Sequence, residues 1–358
     1  MRESKWLRSG PWDTLWILSG LWIFPLGALM FYSPYSKSFL DSLLLLSPLI
    51  GGLHSFLPLV AAVSVGTFID KLKPNAKKIA LISGVLFLVS FAFGVLGSYL
   101  ARPEFWLALG YGYLLWNTWH FSMQNFGVFS LYRTVQGQND ALDRNIDKYY
   151  CQIMGLIIQP IIWLCIETRW GPFLKYVPAG FPAEAITNVT LTVATLLTVA
   201  YIAWELKKKN RSFQKIGYAL TIGIQPFAGI LAYWPFHFLT YSITHWVVEI
   251  GITGTIQTES AKQSKLFHSI LKIAGFFGVC LLLIYFLETS GDTDGQIFEY
   301  WDRSGFENLG TESLYASWTL PTLVSMLVLP RSFLHFYLSR QIYKSTRWTI
   351  SKLRADSQ

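Results

Sequence analysis

Histidine is where the chemistry of this chain concentrates. Asn117, His120 and Gln124 are spaced three and four apart in an apolar run from 104 to 132, so a helix brings them to one face. His245 and Glu249 stand four apart in another apolar run, with His237 two turns earlier, just after Pro235. His54 follows Gly51 and Gly52 and is bracketed by Pro48 and Pro58, residues that permit close backbone approach and a kink. Arg331 and His335 are again four apart. Imidazoles joined by a carboxylate suit iron, manganese or zinc. A carboxylate in apolar surroundings also needs a compensating cation. The pattern predicts a metal held by His54, His120 and His245, with His237 and His335 as further ligands. Glu249, Gln124 and Arg331 are the expected catalytic groups beside it, Glu249 with ligation open to it.

Each group also has a plainer use. His54 and His120 can hydrogen-bond a neighbouring helix, and His245 with Glu249 can form a pair or part of a proton path. Arg331 can extend toward an interface. His268, beside Lys265, reads as a solvated residue. The metal reading needs the four stretches that carry His54, His120, His245 and His335 to adjoin.

The elements that must do this are membrane helices. Of 358 residues, 52% are hydrophobic and only 14% charged, against roughly 25% charged in soluble domains. Apolar runs long enough to cross a bilayer recur at about 13–32, 40–66, 78–100, 105–132, 148–168, 184–205, 215–235, 237–257, 266–287 and 314–339. The fold class expected is therefore all-α, a polytopic bundle of about ten spans in one transmembrane domain. Trp and Tyr at many segment ends fit interfacial belts.

Lys and Arg test this list. With the N-terminus inside, 22 of the 29 fall on the inner flanks and five on the outer ones, the bias of cytoplasmic loops. Both termini are then cytoplasmic. The first run lacks a small-residue cleavage pattern and reads as a retained anchor. The net charge of +8 follows from these cationic loops and calls for no nucleic-acid partner. An acidic, aromatic outer stretch at 288–312 is expected to form a small cap, and 171–182, with three prolines, to re-enter. Cys151, Cys165 and Cys280 have no metal-ligand spacing and read as reduced core residues.

Several of these elements resemble a known family. Residues 120–126, beginning His120-Phe121 and ending Asn125-Phe126, are similar to the His-Phe-Gly-Met-x-Asp-Phe element of Brp/Blh-like β-carotene dioxygenases. Residues 51–57 around His54 resemble that family's early Gly-Leu-Pro-His-Gly-Ala-Leu. Residues 240–249 resemble its penultimate aromatic span with a His-x-x-x-His pair, and 329–335 its final Val-Pro-His stretch. The order of the four elements agrees over about 51–340. Three positions depart: Glu249 stands for the second histidine of the pair, Asn125 for an aspartate, and Arg331 for a histidine. The resemblance implies an all-helical membrane enzyme with histidine-bound iron.

The function expected is metal-dependent oxidation of a hydrophobic substrate, such as a carotenoid or isoprenoid, in a bacterial plasma membrane. The lipid bilayer and that substrate are the expected partners. Trp116, Trp119, Tyr241 and Trp246 are the aromatics expected to line its slot. Two other classes use the same residues: a haem protein for electron transfer, with axial histidines from different spans, and a proton-coupled transporter built on His245, Glu249 and Arg331.

Overall fold

The computed structural model describes residues 6–35, 54, 73–99, 103–138, 140–170, 180–231, 234–261, 333–341 and 343–344. The fold is all-α, and among the described residues every regular element is helical. A turn at Gly10–Trp12 runs into a π-helical turn, Asp13–Ile17, and then into α1 (Gly20–Phe31). After it come α2 (Ala76–Tyr99), α3 (Pro103–Gln136) and α4 (Ala141–Ile153). A second π turn, Met154–Ile158, carries α4 into α5 (Gln159–Trp170). The remainder are α6 (Ala183–Leu206), α7 (Phe213–Leu231), α8 (Trp234–Ala261) and a helical stretch at 333–341.

Local chemistry sets several of these boundaries. Ser9 caps the first turn by accepting from the Trp12 amide at 3.3 Å, with Pro11 behind it. Asp140 caps α4 through the Leu142 amide. Between α3 and α4 the chain turns at Gly137, whose φ of 66° suits a residue without Cβ.

Helices cover the runs expected at 13–32, 78–100, 105–132, 148–168, 184–205, 215–235 and 237–257, with two corrections. The first is bent by 51° between Gly10–Ile17 and Gly20–Met30. The fifth begins seven residues early, at Ala141, because Asp140 supplies its cap. The runs at 40–66 (His54 apart) and 266–287, the outer stretch 288–312 and Cys280 lie outside the described residues, as does 171–182 except at its end. Among the described residues, Ala183–Leu206 is long and apolar enough to cross a membrane, as is the bent N-terminal pair taken as one span.

On α6 the usual amphipathic order is inverted. Val189, Leu196 and Val199 are exposed at 63%, 63% and 58%, whereas Thr187, Thr190, Thr198 and Glu205 are buried. On α2, Leu81 and Leu88 are likewise exposed.

The chain forms two compact units: Met1–His54, Thr118–Gln263 and Arg340–Gln358 make the first, Ser55–Asn117 and Ser264–Ser339 the second. In the second, Trp116 packs on Phe336 with ring centroids 5.8 Å apart. In the first, α7 packs on α1, α6 and α8, and the N-terminal π turn packs on α8. Trp12 donates its indole N–H to the Gly251 carbonyl at 3.2 Å, and the bare Gly251 backbone gives Trp16 its seat. The Asp13 carboxylate accepts from the Leu7 and Arg8 amides and from the Tyr132 hydroxyl of α3. Beyond the second π turn, Trp163 of α5 meets Tyr241 of α8 edge to face.

One cluster gathers cations from the basic flanks. Arg133, Lys208 and Lys215, counted there, are all in ion pairs, and Arg133 and Lys215 are buried. Lys215 Nζ lies 2.8 Å from Asp147 and 3.1 Å from Glu205. Arg133 meets Asp147 at 3.1 Å, and Lys208 bridges Asp143 and Glu205 at 2.8 and 2.7 Å. Tyr201 and Gln138 donate to the same carboxylates at 2.7 and 2.8 Å. Burial opposes the Lys208 charge, but the hydrogen bonds it donates to Asp143 and Glu205 outweigh this and hold the ammonium above its usual range.

Candidate metal centre

The site is built in the first unit from the middle of α3, the fourth turn of α8 and His54. His120 sits on the inward face of α3 and His245 on that of α8, both buried, as is His54. Gln124, one turn after His120, donates its amide to the backbone carbonyl of His245 at 3.0 Å. This ties the two helices at the level of the rings. Gln124, one of the expected catalytic groups, is thus also a link between the two helices. Asn125 accepts from the Tyr218 hydroxyl of α7 at 2.7 Å. Asn117, expected on the same face as His120, falls in the second unit.

The nitrogens of His54, His120 and His245 lie within 4.8 Å of one another. His245 Nε2 is 3.2 Å from His120 Nε2 and 3.1 Å from His54 Nε2. These three buried histidines can therefore bind a metal ion. A neutral imidazole nitrogen carries either one proton or one lone pair. His245 Nε2 cannot make two ordinary hydrogen bonds at once, one to each neighbour. Three lone pairs directed at one cation remove that conflict. For metal–nitrogen bonds of about 2.0–2.1 Å, ligand nitrogens stand about 2.9 Å apart at right angles and about 3.4 Å apart in a tetrahedron. The two measured separations fall between those values.

Apolar rings fix the imidazoles. Phe121 stacks on His245 at 3.8 Å between centroids with 26° between planes, Tyr241 backs Phe121 at 4.8 Å, and Trp246 stacks on His54 at 6.3 Å. Of the aromatics expected to line a slot, Tyr241 and Trp246 stand here. Trp119 is 44% exposed, and Trp116 lies in the second unit. Phe121, nearest of all to an imidazole, was not singled out in the sequence, although its place beside His120 was the available signal.

Glu249 is fully buried one turn beyond His245, but its carboxylate is not part of the convergent set. Two phenols act on it. Tyr343 lies against it, and Tyr218 is within electrostatic reach. The Tyr343 ring rests on Gly127 of α3, where a Cβ would come within 2.5 Å of it. Burial, reinforced by the Glu249 charge, pushes the Tyr343 phenol well above the usual tyrosine range, so it stays a donor at neutral pH.

His335 belongs to the second unit, where it is buried beside Phe336 at 5.5 Å. His237 is on α8, but its side chain lies outside the described residues, as does Arg331. Comparison with models of known protein families, with curated proteins and with solved structures finds no match to this chain.

Proposed function

We propose that the chain is a metal-dependent oxidative enzyme of the membrane, acting on a hydrophobic substrate, with iron held by His54, His120 and His245. The observation that carries this reading is the meeting of three buried Nε2 atoms around His245, at 3.1 and 3.2 Å. Iron held by a few imidazoles keeps coordination positions open for O₂. The protein's part is to hold three neutral imidazoles in register, through Gln124 on the His245 backbone and Phe121 and Trp246 on the rings. Those same rings exclude water from one side of the site. Tyr241 and Trp246 extend an apolar, aromatic wall that suits a flat polyene or isoprenoid, the substrate class that the dioxygenase resemblance also suggests.

The inverted surface of α6, with its valines and leucine outward and its threonines inward, supports a lipid-facing bundle. We carry forward ten spans with both termini cytoplasmic. Tags at the two ends are expected to report from the same, cytoplasmic side, and opposite sides would remove one span. The haem reading fits less well. Two axial nitrogens on one iron stand about 4 Å apart, and with His245 Nε2 within 3.2 Å of both neighbours no porphyrin plane fits between these rings.

Metal analysis and an absorption spectrum of the purified full chain test the reading. Stoichiometric iron without a Soret band, and O₂ uptake on adding an apolar polyene, are expected. A Soret band would transfer the reading to haem. A protein that neither retains nor takes up a transition metal would remove the enzyme proposed here.

A further inference from the structure

We propose that Glu249 is the counter-charge of the three-histidine site, acting without ligating the metal, and that Tyr343 positions it. The inference rests on the metal reading above and adds to it a charge and a positioning residue from the C-terminal segment.

Three neutral imidazoles bring no negative charge to a divalent cation. A buried dication left with its full charge is costly, so a site of this kind needs an anion within a few ångströms. Glu249 is the acidic residue one turn along α8 from His245, a rise of about 6 Å, and it is wholly removed from solvent. It stands outside the convergent ligand set, so its contribution acts through space and not through a bond.

The surroundings of the carboxylate are built to hold it. Tyr218 is fixed by its 2.7 Å hydrogen bond to Asn125, and Asn125 follows Gln124, which grips the His245 carbonyl. Tyr343 comes from the far end of the chain and reaches Glu249 because Gly127 leaves its ring a seat on α3. A side chain at position 127 would displace that ring. A phenol from the C-terminal segment thus lies against the carboxylate on α8, a second on α7 is within its electrostatic reach, and the anchor of that second phenol is next in sequence to the residue that sets the site.

Cobalt(II) is the probe, titrated into the purified full chain while its d–d absorption is followed. Supporting residues around a metal site commonly alter affinity by 10–100-fold. Glu249→Gln is expected to keep one cobalt per chain and an unchanged spectrum while weakening affinity within that range. Tyr343→Phe is expected to weaken it by up to about 10-fold. The double variant is expected to be no weaker than Glu249→Gln alone, because Tyr343 acts through the carboxylate. A merely structural role for Tyr343 would instead make the two losses multiply.

If the unaltered protein takes up no cobalt, the metal reading fails. If it takes up cobalt and Glu249→Gln binds equally tightly, the metal reading stands and the counter-charge is overturned. A changed cobalt spectrum in Glu249→Gln would make Glu249 a ligand and overturn the proposal in the other direction. Should Glu249→Gln fold poorly, Glu249→Asp with Tyr343→Phe repeats the cycle, and additive losses there overturn the positioning role.

Discussion

Two buried polar centres lie in the first unit, and they are solved in opposite ways. In the cluster around Lys215, three cations and three carboxylates are drawn from α3, α4, α6, α7 and the α6–α7 turn, and each charge meets its opposite within 3.1 Å. In the histidine site, like meets like: three nitrogen donors crowd one point, and the carboxylate stands a turn away. The first centre is complete as it stands and requires nothing from outside. The second is the one on which the proposed metal site rests. A self-neutralised cluster reads as architecture, and a convergent set of ligand atoms is the place to look for function.

Removing one member from each should separate these roles. Asp147→Asn leaves Arg133 and Lys215 without their shared anion, and breaking a buried pair in this way costs about 3–5 kcal/mol. Denaturant or thermal unfolding in detergent is expected to register that loss, while metal stoichiometry at a permissive temperature is unchanged. If Asp147→Asn is as stable as the parent, the cluster is not the structural one.

The converse substitution has the converse profile. His245→Ala removes the nitrogen common to both short contacts and is expected to weaken metal binding by more than about 100-fold, beyond the usual effect of a supporting residue. Its stability without metal should change by only about 1 kcal/mol, the common size for a point substitution. Added metal should raise the melting temperature of the parent protein and not of this variant. A His245→Ala protein that still gains stability from metal would dissolve the contrast between the two centres.

The smallest effect is a pH dependence confined to the charged cluster. The ammonium of Lys208 is held above its ordinary range in the folded state by Asp143 and Glu205. Its contribution is therefore complete below the unfolded lysine value, near 10.5, and is lost as pH rises through the higher folded one. Unfolding measured from pH 9 to 12 is expected to show this decline, and Lys208→Met to flatten it. An equal slope in the variant would assign the decline to other groups.

How much of this was legible in the sequence depended on which signal was local. His54, His120 and His245 stood out because a polar ring in an apolar run is conspicuous by itself. Their convergence was not legible, since it depends on which helices adjoin. The same limit hid Phe121, which looked like one apolar residue among many until α8 was set against α3. The pairing of Arg133 and Lys215 was hidden for a different reason: at the ends of apolar runs, a paired cation and a solvated one look alike. Asp143 and Asp147, four apart on α4, were the available hint that the cations had buried partners. Glu249 was marked as a carboxylate needing compensation, with ligation open to it; it stands one helical turn from His245 and outside the convergent set, and spacing alone does not resolve that difference. The turn at Asp13–Ile17 was hidden too, because a wider helical turn leaves no mark on hydropathy.

The π turn at Met154–Ile158 has a consequence for how this fold tolerates change in length. Such a turn takes one more residue than an α turn between the same ends. It therefore works as an insertion absorbed in place, with α4 before it and α5 after it keeping their own faces. Deleting one residue there would close the wide turn to an α turn and let α4 and α5 run on as one regular helix, their faces kept. Trp163 would stay against Tyr241, and Cys165 would stay in the interior. A residue deleted from within α5, ahead of Trp163, would instead turn everything beyond by about 100° and take that ring from the aromatic wall behind His245.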